Sequence, residues 1–309
     1  IMKKVNVLLP TYNGEKYLEY QLQSVVNQTY KNIDVYIRDD GSKDNTMEII
    51  DRFCQKSYEG IKFIKVESDG KNLGYPDCFW ELIKKAKDAE YYAFCDQDDW
   101  WNPKKIEIAV NELEKIPKEK PAMTYCEFEY YDKDMNYIRP GDNYSGELTF
   151  EKGIYYTFAP GFTQVINKAL VDKLDLDYIF GRNLAHDIWC QWIALTMGEI
   201  VTEHTVLAKY RRHEDAVTAA NASKRNEISR WIKKEIFGDE IVKWKRSLCY
   251  FKDEYYNEIN ENEQYVLALF ANENDTFTNK VKKIFNKRKL RPTAGGNFAL
   301  KILFLIGKC

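Results

Sequence analysis

Three carboxylates in four residues, Asp96-Gln97-Asp98-Asp99, stand directly behind the apolar run Tyr91–Cys95. Carboxylates this close repel one another unless a cation neutralises them. A hard divalent ion with oxygen ligands, Mn2+ or Mg2+, suits such a set and keeps positions open for phosphate oxygens. A lesser use is also open, because one acid suffices to cap the helix expected after Pro103. Asp39-Asp40-Gly41-Ser42 follows another strand-like run. It reads either as a turn built from ordinary turn formers or as a carboxylate that accepts a hydrogen bond from a nucleobase imide. Tyr12, past the first apolar run, could stack on that base or simply lie at the surface. His186-Asp187 opens a helical stretch, where the dipole stabilises an acid. An Asp with an ordinary pKa, about 4, can also take a proton from an attacking hydroxyl. His186 reads as a packing or positioning residue. Tyr210-Arg211-Arg212-His213 gathers two guanidiniums and an imidazole, suited to diphosphate oxygens and a divalent ion or to a solvated basic turn.

These groups can act together only if the chain brings them to one place. Val5–Leu9 is a short apolar run ended by Pro10 and reads as a buried strand. Leu18, Leu22, Val25 and Val26 share one helical face, and Ile33, Val35 and Ile37 alternate as a strand would. A helix starts near Asp44 or Thr46, with Met47, Ile50, Phe53 and Cys54 inward. Ile61–Val66 is a third strand, and Pro76 opens a helix carrying Phe79, Leu82, Ile83 and Ala86. Tyr91–Cys95 is a fourth strand, and Pro103 suits the first turn of the next helix. Such alternation implies right-handed crossovers and a mostly parallel α/β sheet with helices on both faces. Ligands bind such sheets at the carboxyl ends of the strands. Thr11-Tyr12-Asn13, Asp39-Asp40 and Asp96–Asp99 all follow strand ends, so they should converge on one edge. From about Ala122 the strands are mixed (Met123–Tyr130, Phe162–Asn167, Val206–Arg211), and a helix spans His186 to Met197. After about Ser223 the sequence becomes helical and charged, with Trp231, Trp244 and Tyr250. The expected division is therefore a catalytic domain over 1–222 and a helical segment over 223–309.

Bulk properties narrow the classes. At 309 residues and 44% hydrophobic, the chain can bury a sizeable core. A net charge of −2 argues against a general nucleic-acid binder. The seven cysteines are dispersed without a CxxC pair, so neither a zinc site nor a disulfide framework is indicated and a reducing cytosol fits. Strand-like sequence begins within a few residues of the start, so no secretory leader is expected. No run reaches the ~20 apolar residues of a membrane span.

Order and context connect the motifs. Leu9-Pro10-Thr11-Tyr12-Asn13, Ser24-Val25-Val26-Asn27-Gln28-Thr29-Tyr30 and Asp39 to Thr46 together resemble the opening of glycosyltransferase family 2. Asn72-Leu73-Gly74, Asp96–Asp99 and His186-Asp187 continue that pattern in order, so the resemblance covers roughly residues 3 to 215. It implies a GT-A fold, a Rossmann-like α/β domain merged with an acceptor-binding half, and sugar transfer with inversion. By the resemblance, Thr11 and Tyr12 would line the base pocket, and Asp40, with Asp39 nearby, would read a uracil or thymine imide. Asp96 and Asp98 would touch ribose and the diphosphate-bound Mn2+ or Mg2+, with Asp99 a further candidate. Arg211 and Arg212 would serve the diphosphate, and His213 the ion. Asp187 would be the catalytic base, with His186 and Trp189 toward the acceptor; many members carry Glu-Asp where this chain has His186-Asp187. The form of the motifs is similar to a bacterial rhamnosyltransferase-like branch that builds cell-surface glycans. The implied partners are a dTDP-rhamnose or UDP-hexose donor and a glycan or lipid-linked oligosaccharide acceptor, met in the cytoplasm or at the inner face of the cell membrane.

The C-terminal end has its own character. Lys280 to Arg291 holds seven basic residues, followed by the apolar stretch Phe298–Ile306. A basic stretch beside a short apolar helix suits an interfacial membrane anchor, or a helix packed on the domain or on a second subunit. Other functions have weaker support. A sugar nucleotidyltransferase would carry a Gly-rich basic loop where Pro10-Thr11-Tyr12-Asn13-Gly14 stands, and a dehydrogenase would show GxGxxG there. A non-catalytic glycan- or nucleotide-binding module would not need both the acid cluster and Asp187.

Overall fold

The computed structural model describes residues 2–213 and 238–308. The expected boundary at 222 and Trp231 lie outside the described residues. The chain forms two compact units. One comprises residues through Asn143, Ala159–Ala194 and Gly198–His213; the other comprises Tyr144–Phe158, Leu195–Met197 and the C-terminal residues. The stretch Tyr144–Phe158 thus packs with the helical tail, which a single cut along the chain does not capture.

The first unit is built on a nine-stranded sheet. Its strands are β1 (Val5–Thr11), β2 (Ile33–Asp39), β3 (Ile61–Lys65), β4 (Tyr91–Phe94), β5 (Trp100–Trp101), β6 (Ala122–Tyr131), β7 (Tyr137–Pro140), β8 (Gln164–Asn167) and β9 (Glu199–Arg211). They lie in the order β3-β2-β1-β4-β8-β6-β9-β5, with β7 paired to β6. The neighbours β3, β2, β1 and β4 are parallel, as the strand–helix alternation predicts. Beyond β4 the sheet is mixed: β8 is antiparallel to both β4 and β6, while β9 is parallel to β6. The reading of a mostly parallel sheet therefore describes the first half.

Why these strands are central follows from their two apolar faces. Val5, Val7 and Leu9 face one side with Ile33, Val35 and Ile37, covered by α1 (Leu18–Val26), α2 (Thr46–Gln55) and α4 (Lys105–Leu113). Leu8, Tyr36 and Phe94 face the other, covered by α3 (Asp77–Lys85), whose Phe79 ring lies 5.8 Å from that of Phe94. Each fully buried Leu, Ile or Val in these layers contributes about 1.5–3 kcal/mol of burial. Pro103 lies ahead of α4 rather than in its first turn. Asn102 makes the turn, its side chain accepting from Lys104 N–H (3.0 Å) and its carbonyl from Lys105 N–H (3.0 Å).

Three short helices, α5 (Phe150–Gly153), α6 (Lys168–Val171) and α7 (Leu176–Ile179), and the longer α8 (His186–Met197) complete the middle of the chain. In the second unit α5 is joined by α9 (Glu240–Tyr255), α10 (Glu261–Phe270), α11 (Phe277–Phe285) and α12 (Ala294–Leu305). Tyr155, Phe270 and Phe304 form its aromatic centre. Beside them Lys283 is buried, with its ammonium 2.6 Å from Asp275.

One buried charge in the first unit lacks such a partner. Lys105 on α4 is sealed from solvent, its ammonium lies 4.1 Å from the centre of the Trp101 ring, and it makes no hydrogen bond among the described residues. Burial therefore holds its pKa below the usual lysine range. The unfolded chain then binds a proton that the folded chain resists, so this group costs stability as pH falls below the ordinary lysine pKa. Lys105→Met, of similar length, is expected to gain about 1–2 kcal/mol in urea unfolding at pH 7. The gain should shrink as pH approaches 10, and equal or lower stability at pH 7 would contradict it.

Candidate active site

The loops after β1 and β2 are fastened to one another. Thr11 and Asp39 are register partners at the two strand ends, and the Thr11 hydroxyl donates to Asp39 Oδ1 (3.0 Å). The other Asp39 oxygen accepts the N–H groups of Gly41 (3.0 Å) and Ser42 (2.8 Å). Gly41 has φ +85°, and a Cβ there would lie 2.9 Å from the Gly70 carbonyl oxygen, so only glycine fits. Expected at the base pocket, Thr11 and Asp39 are instead buried and occupied in making this turn. Asp40 is buried too, ion-paired with Arg38 and accepting Gly74 N–H at 2.8 Å. Only Tyr12 of this group presents an exposed ring.

Gln97, the one uncharged member of the acidic run, joins that loop to the acids. Its amide accepts from Tyr12 N–H (2.9 Å) and donates to the Tyr12 carbonyl (3.0 Å). The other side of the run is held by β5, whose Trp100 and Trp101 pair antiparallel with Lys209 and Ala208 of β9. This two-residue pairing carries Asp98 and Asp99 to the end of β9. Asp99 is fully buried and accepts Arg211 N–H (3.0 Å); Arg211 Nε donates to the Asp98 carbonyl (2.8 Å) and its Nη1 to the Lys133 carbonyl (2.8 Å). The guanidinium also lies over Tyr17 (4.6 Å). Arg211 is therefore the clamp that holds the acidic loop, its guanidinium engaged by backbone carbonyls rather than open to a diphosphate, and Asp99 joins it through one oxygen. Arg212 lies over the rings of Tyr130 (5.3 Å) and Tyr210 (5.9 Å).

What remains open beside the loop is Asp96, Asp98 and His213. Asp98 Oδ2 and His213 Nε2 are 2.8 Å apart, and the imidazole packs 4.7 Å from the Tyr17 ring. The carboxyl of Asp96 is pushed up to about 8, by burial first and then by the charges of Asp98 and Asp187. These residues fit a divalent ion. Two donors in adjacent positions around an octahedral ion lie about 3 Å apart, as Asp98 and His213 do, and Asp96 is a carboxylate that lacks a counter-charge. Among the described residues no group of three or more His, Cys, Asp or Glu side chains is ready-made for a metal. Water and phosphate oxygens would complete the shell.

Asp187 belongs to the same electrostatic neighbourhood, at the N-terminus of α8. Its Oδ1 accepts from Ile188 N–H (2.9 Å) and from the Tyr75 hydroxyl (3.2 Å), and burial raises its pKa above the ordinary carboxylate range. Gln164 fixes the backbone beneath it, donating to the Asp187 carbonyl (3.0 Å) and the Ala159 carbonyl (2.6 Å). Tyr75 was not legible as a site residue; its ring is 52% exposed. It follows Gly74, which Asp40 anchors, so one loop connects the end of β2 to Asp187. His186 is only 3% exposed, its ring 4.0 Å from Phe79 and 4.4 Å from Phe94, and burial lowers its pKa to about 3. Trp189 is likewise buried. Three residues apart on one face of α8, both are turned into the core rather than toward an acceptor, and His186 takes the packing role that its residue type also allowed.

Comparison with known proteins identifies the family and the fold. The sequence model described as glycosyl transferase family 2 matches residues 6–175, more than half of the chain. A dTDP-rhamnosyl transferase of Shigella flexneri is 30% identical over 245 residues, covering 74% of this chain and 82% of its own. An uncharacterized glycosyltransferase of Rickettsia typhi is 30% identical over 222 residues, 69% of this chain and 65% of that protein. The chain spans less than two thirds of the length of the Rickettsia relatives it matches, 65% in two species and 22% in two others. Among solved structures, S. aureus TarS (residues 1–349) aligns with a TM-score of 0.58 at 17% identity, over 99% of this chain and 80% of that one. A mannosyltransferase from Pyrobaculum calidifontis, in complex with GDP-Man and Mn2+, gives 0.52 at 13% identity, over 98% and 76%. These likenesses show a GT-A fold with C-terminal helices. The chain belongs to glycosyl transferase family 2.

The acid cluster has a stability signature. Asp96 takes up a proton on folding that an ordinary aspartate, with a pKa of about 4, would release. Its contribution is intact below pH 4 and is lost as pH rises through about 8. In chelator, Asp96→Asn should melt about 2–4 °C above the unaltered protein at pH 8, the gap closing toward pH 4. A lower melting temperature for the variant at pH 8 would mean that the crowding is relieved some other way.

Proposed function

We propose that the chain transfers a sugar from a nucleotide-sugar donor to a hydroxyl of a bacterial cell-surface glycan precursor, with inversion and with Asp187 as base. The observation that carries this reading is the position of Asp187: a carboxylate of raised proton affinity, held by Tyr75 and by α8, whose charge is felt at Asp96 beside the Asp98–His213 pair. A base near pH 7 serves best when its pKa is drawn toward that value. The Tyr75 hydroxyl and the N–H groups of Ile188 and Gly161 hold the Asp187 carboxylate in place to receive the acceptor's proton.

Asp98 and His213, with Asp96, would hold the divalent cation, which when bound supplies positive charge to the leaving diphosphate. Tyr12 at the rim would stack on the nucleobase, and Asp40, with the Gly74 loop it anchors, would form the pocket's edge. The named activities of relatives support the donor range. One is the Shigella dTDP-rhamnosyl transferase; another, in Escherichia coli, is a UDP-Glc:alpha-D-GlcNAc-diphosphoundecaprenol beta-1,3-glucosyltransferase, 27% identical over 222 residues. Structures of TarS include complexes with UDP and UDP-GlcNAc. The donor is therefore proposed to be dTDP-rhamnose or a UDP-hexose, the acceptor a glycan or lipid-linked oligosaccharide, and the site of action the cytoplasmic side of the membrane. No helix among the described residues is long and apolar enough to cross a membrane.

A panel of dTDP-, UDP- and GDP-sugars, tested with Mn2+ or Mg2+ for thermal protection and for release of nucleoside diphosphate, examines the reading. Asp187→Asn should lower kcat by about 10^2–10^4-fold while retaining donor protection. For the unaltered enzyme kcat/KM should rise with pH through a value above the ordinary carboxylate range, and that acid limb should vanish in the variant. Near-normal turnover of Asp187→Asn would remove it as the base. Protection by no donor in the presence of metal would favour a glycan-binding module.

Tyr75→Phe tests the positioning of that base. The hydroxyl donates to the Asp187 carboxylate and so favours its ionised form. Its loss should move the acid limb to higher pH and lower kcat several-fold, with donor protection unchanged. An unmoved limb would make Tyr75 a rim residue only.

A further inference from the structure

The last two helices carry a surface that holds none of the proposed site residues. α12 is apolar but for Asn297 and Lys301, yet only Ala299, Leu300, Leu303 and Phe304 are buried. Its opposite face presents Phe298 (67% exposed), Leu305 (66%), Ile302 and Ile306 to solvent. On α11, Phe277 (82%) and Phe285 (77%) are equally bare. A Cβ on Gly307 would lie 2.7 Å from Lys280 Nζ, so the start of α11 adjoins the end of α12. Phe277, one turn before Lys280, is therefore at the same end as Leu305 and Ile306. Interleaved with these rings are lysines. Residues 277–308 contain nine Lys and Arg and no acid, in a chain whose net charge is −2. Lys282, Lys287, Lys289 and Lys301 among them are exposed.

We infer that this face of α11 and α12 is a docking surface for an anionic lipid bilayer. Exposed aromatic and aliphatic side chains gain by entering the acyl boundary, and lysines beside them gain by meeting anionic headgroups. α12, twelve residues long, extends about 18 Å, short of the ~30 Å hydrocarbon core, so it would lie in the plane of the interface. A second copy of the chain suits the face less well. A two-fold contact sets a surface against itself, and here it would oppose the exposed lysines of one copy to those of the other. The inference is independent of whether the chain is a transferase.

Co-sedimentation of the full chain with vesicles tests it. Phosphatidylcholine vesicles with roughly 30% phosphatidylglycerol should retain the protein, pure phosphatidylcholine should not, and binding should weaken as salt rises. Combined Phe298→Ser, Ile302→Ser and Leu305→Ser should lower the bound fraction about tenfold at unchanged melting temperature. Lys282→Gln with Lys287→Gln and Lys289→Gln should shift release to lower salt. Equal binding to both vesicle types, or no loss in the apolar variant, would overturn the inference. So would a dimer, seen by light scattering, that the same serines dissociate. Donor protection measured alongside should be unaffected in every variant, which separates failure here from failure of the proposed activity.

Discussion

Asp96, Asp98, Asp99 and Asp187 are held close enough for their charges to oppose one another, and the rest of the first unit is arranged around that repulsion. Burial makes it worse, because Asp96 has neither full hydration nor a cation among the side chains that face it. Left to themselves such groups would splay apart or draw in solvent. They stay together because their backbone is held from two sides, by Gln97 against the Tyr12 peptide and by Arg211 against the Asp98 carbonyl. A site of this kind stores proton affinity and attraction for positive charge at the expense of stability, a trade common where charge must be bound or moved.

The supports are inexpensive in residues. β5 is two residues long, yet its pairing with β9 brings positions 112 residues apart into hydrogen-bond distance. Parallel pairing of β1 with β2 does the same for Thr11 and Asp39, and the side chain of Asp39 converts that proximity into a closed turn. A third link runs from Asp40 through Gly74 to Tyr75 and Asp187. The end of β2 and the start of α8 are thereby joined by short polar contacts, beside the aromatic packing of His186 on Phe79 and Phe94.

The helical unit follows a different logic. Its interior is aromatic, and the buried Lys283 is balanced by Asp275, whereas its last two helices show apolar side chains and exposed lysines to solvent. A folded domain seldom leaves that combination facing water without use.

Much of the fold was legible in the sequence because burial leaves a period. The alternation of Ile33, Val35 and Ile37 and the helical spacing of Leu18, Leu22 and Val25 mark elements whose faces the structure buries. The helix from His186 to Met197 was readable to its ends. Residue types at the ends of β1, β2 and β4 also announced a polar edge, since parallel strands deliver their carboxyl ends to one side. The roles within that edge were not readable. An aspartate looks the same in sequence whether its oxygens close a turn, as in Asp39, clamp a strand, as in Asp99, or stand crowded beside other acids, as in Asp96. Likewise Arg211 has the chemistry of a ligand but is consumed by carbonyls, whereas His186 packs on Phe79 and Phe94 as one reading of its position allowed. Tyr75 carried no signal, because its contact with Asp187 spans 112 residues. Local pattern determines which segments become strands and helices, since it sets which faces must leave water. Which polar atom meets which is decided only by the pairing of distant strands, because hydrogen bonds depend on ångström-scale positions that no local spacing contains.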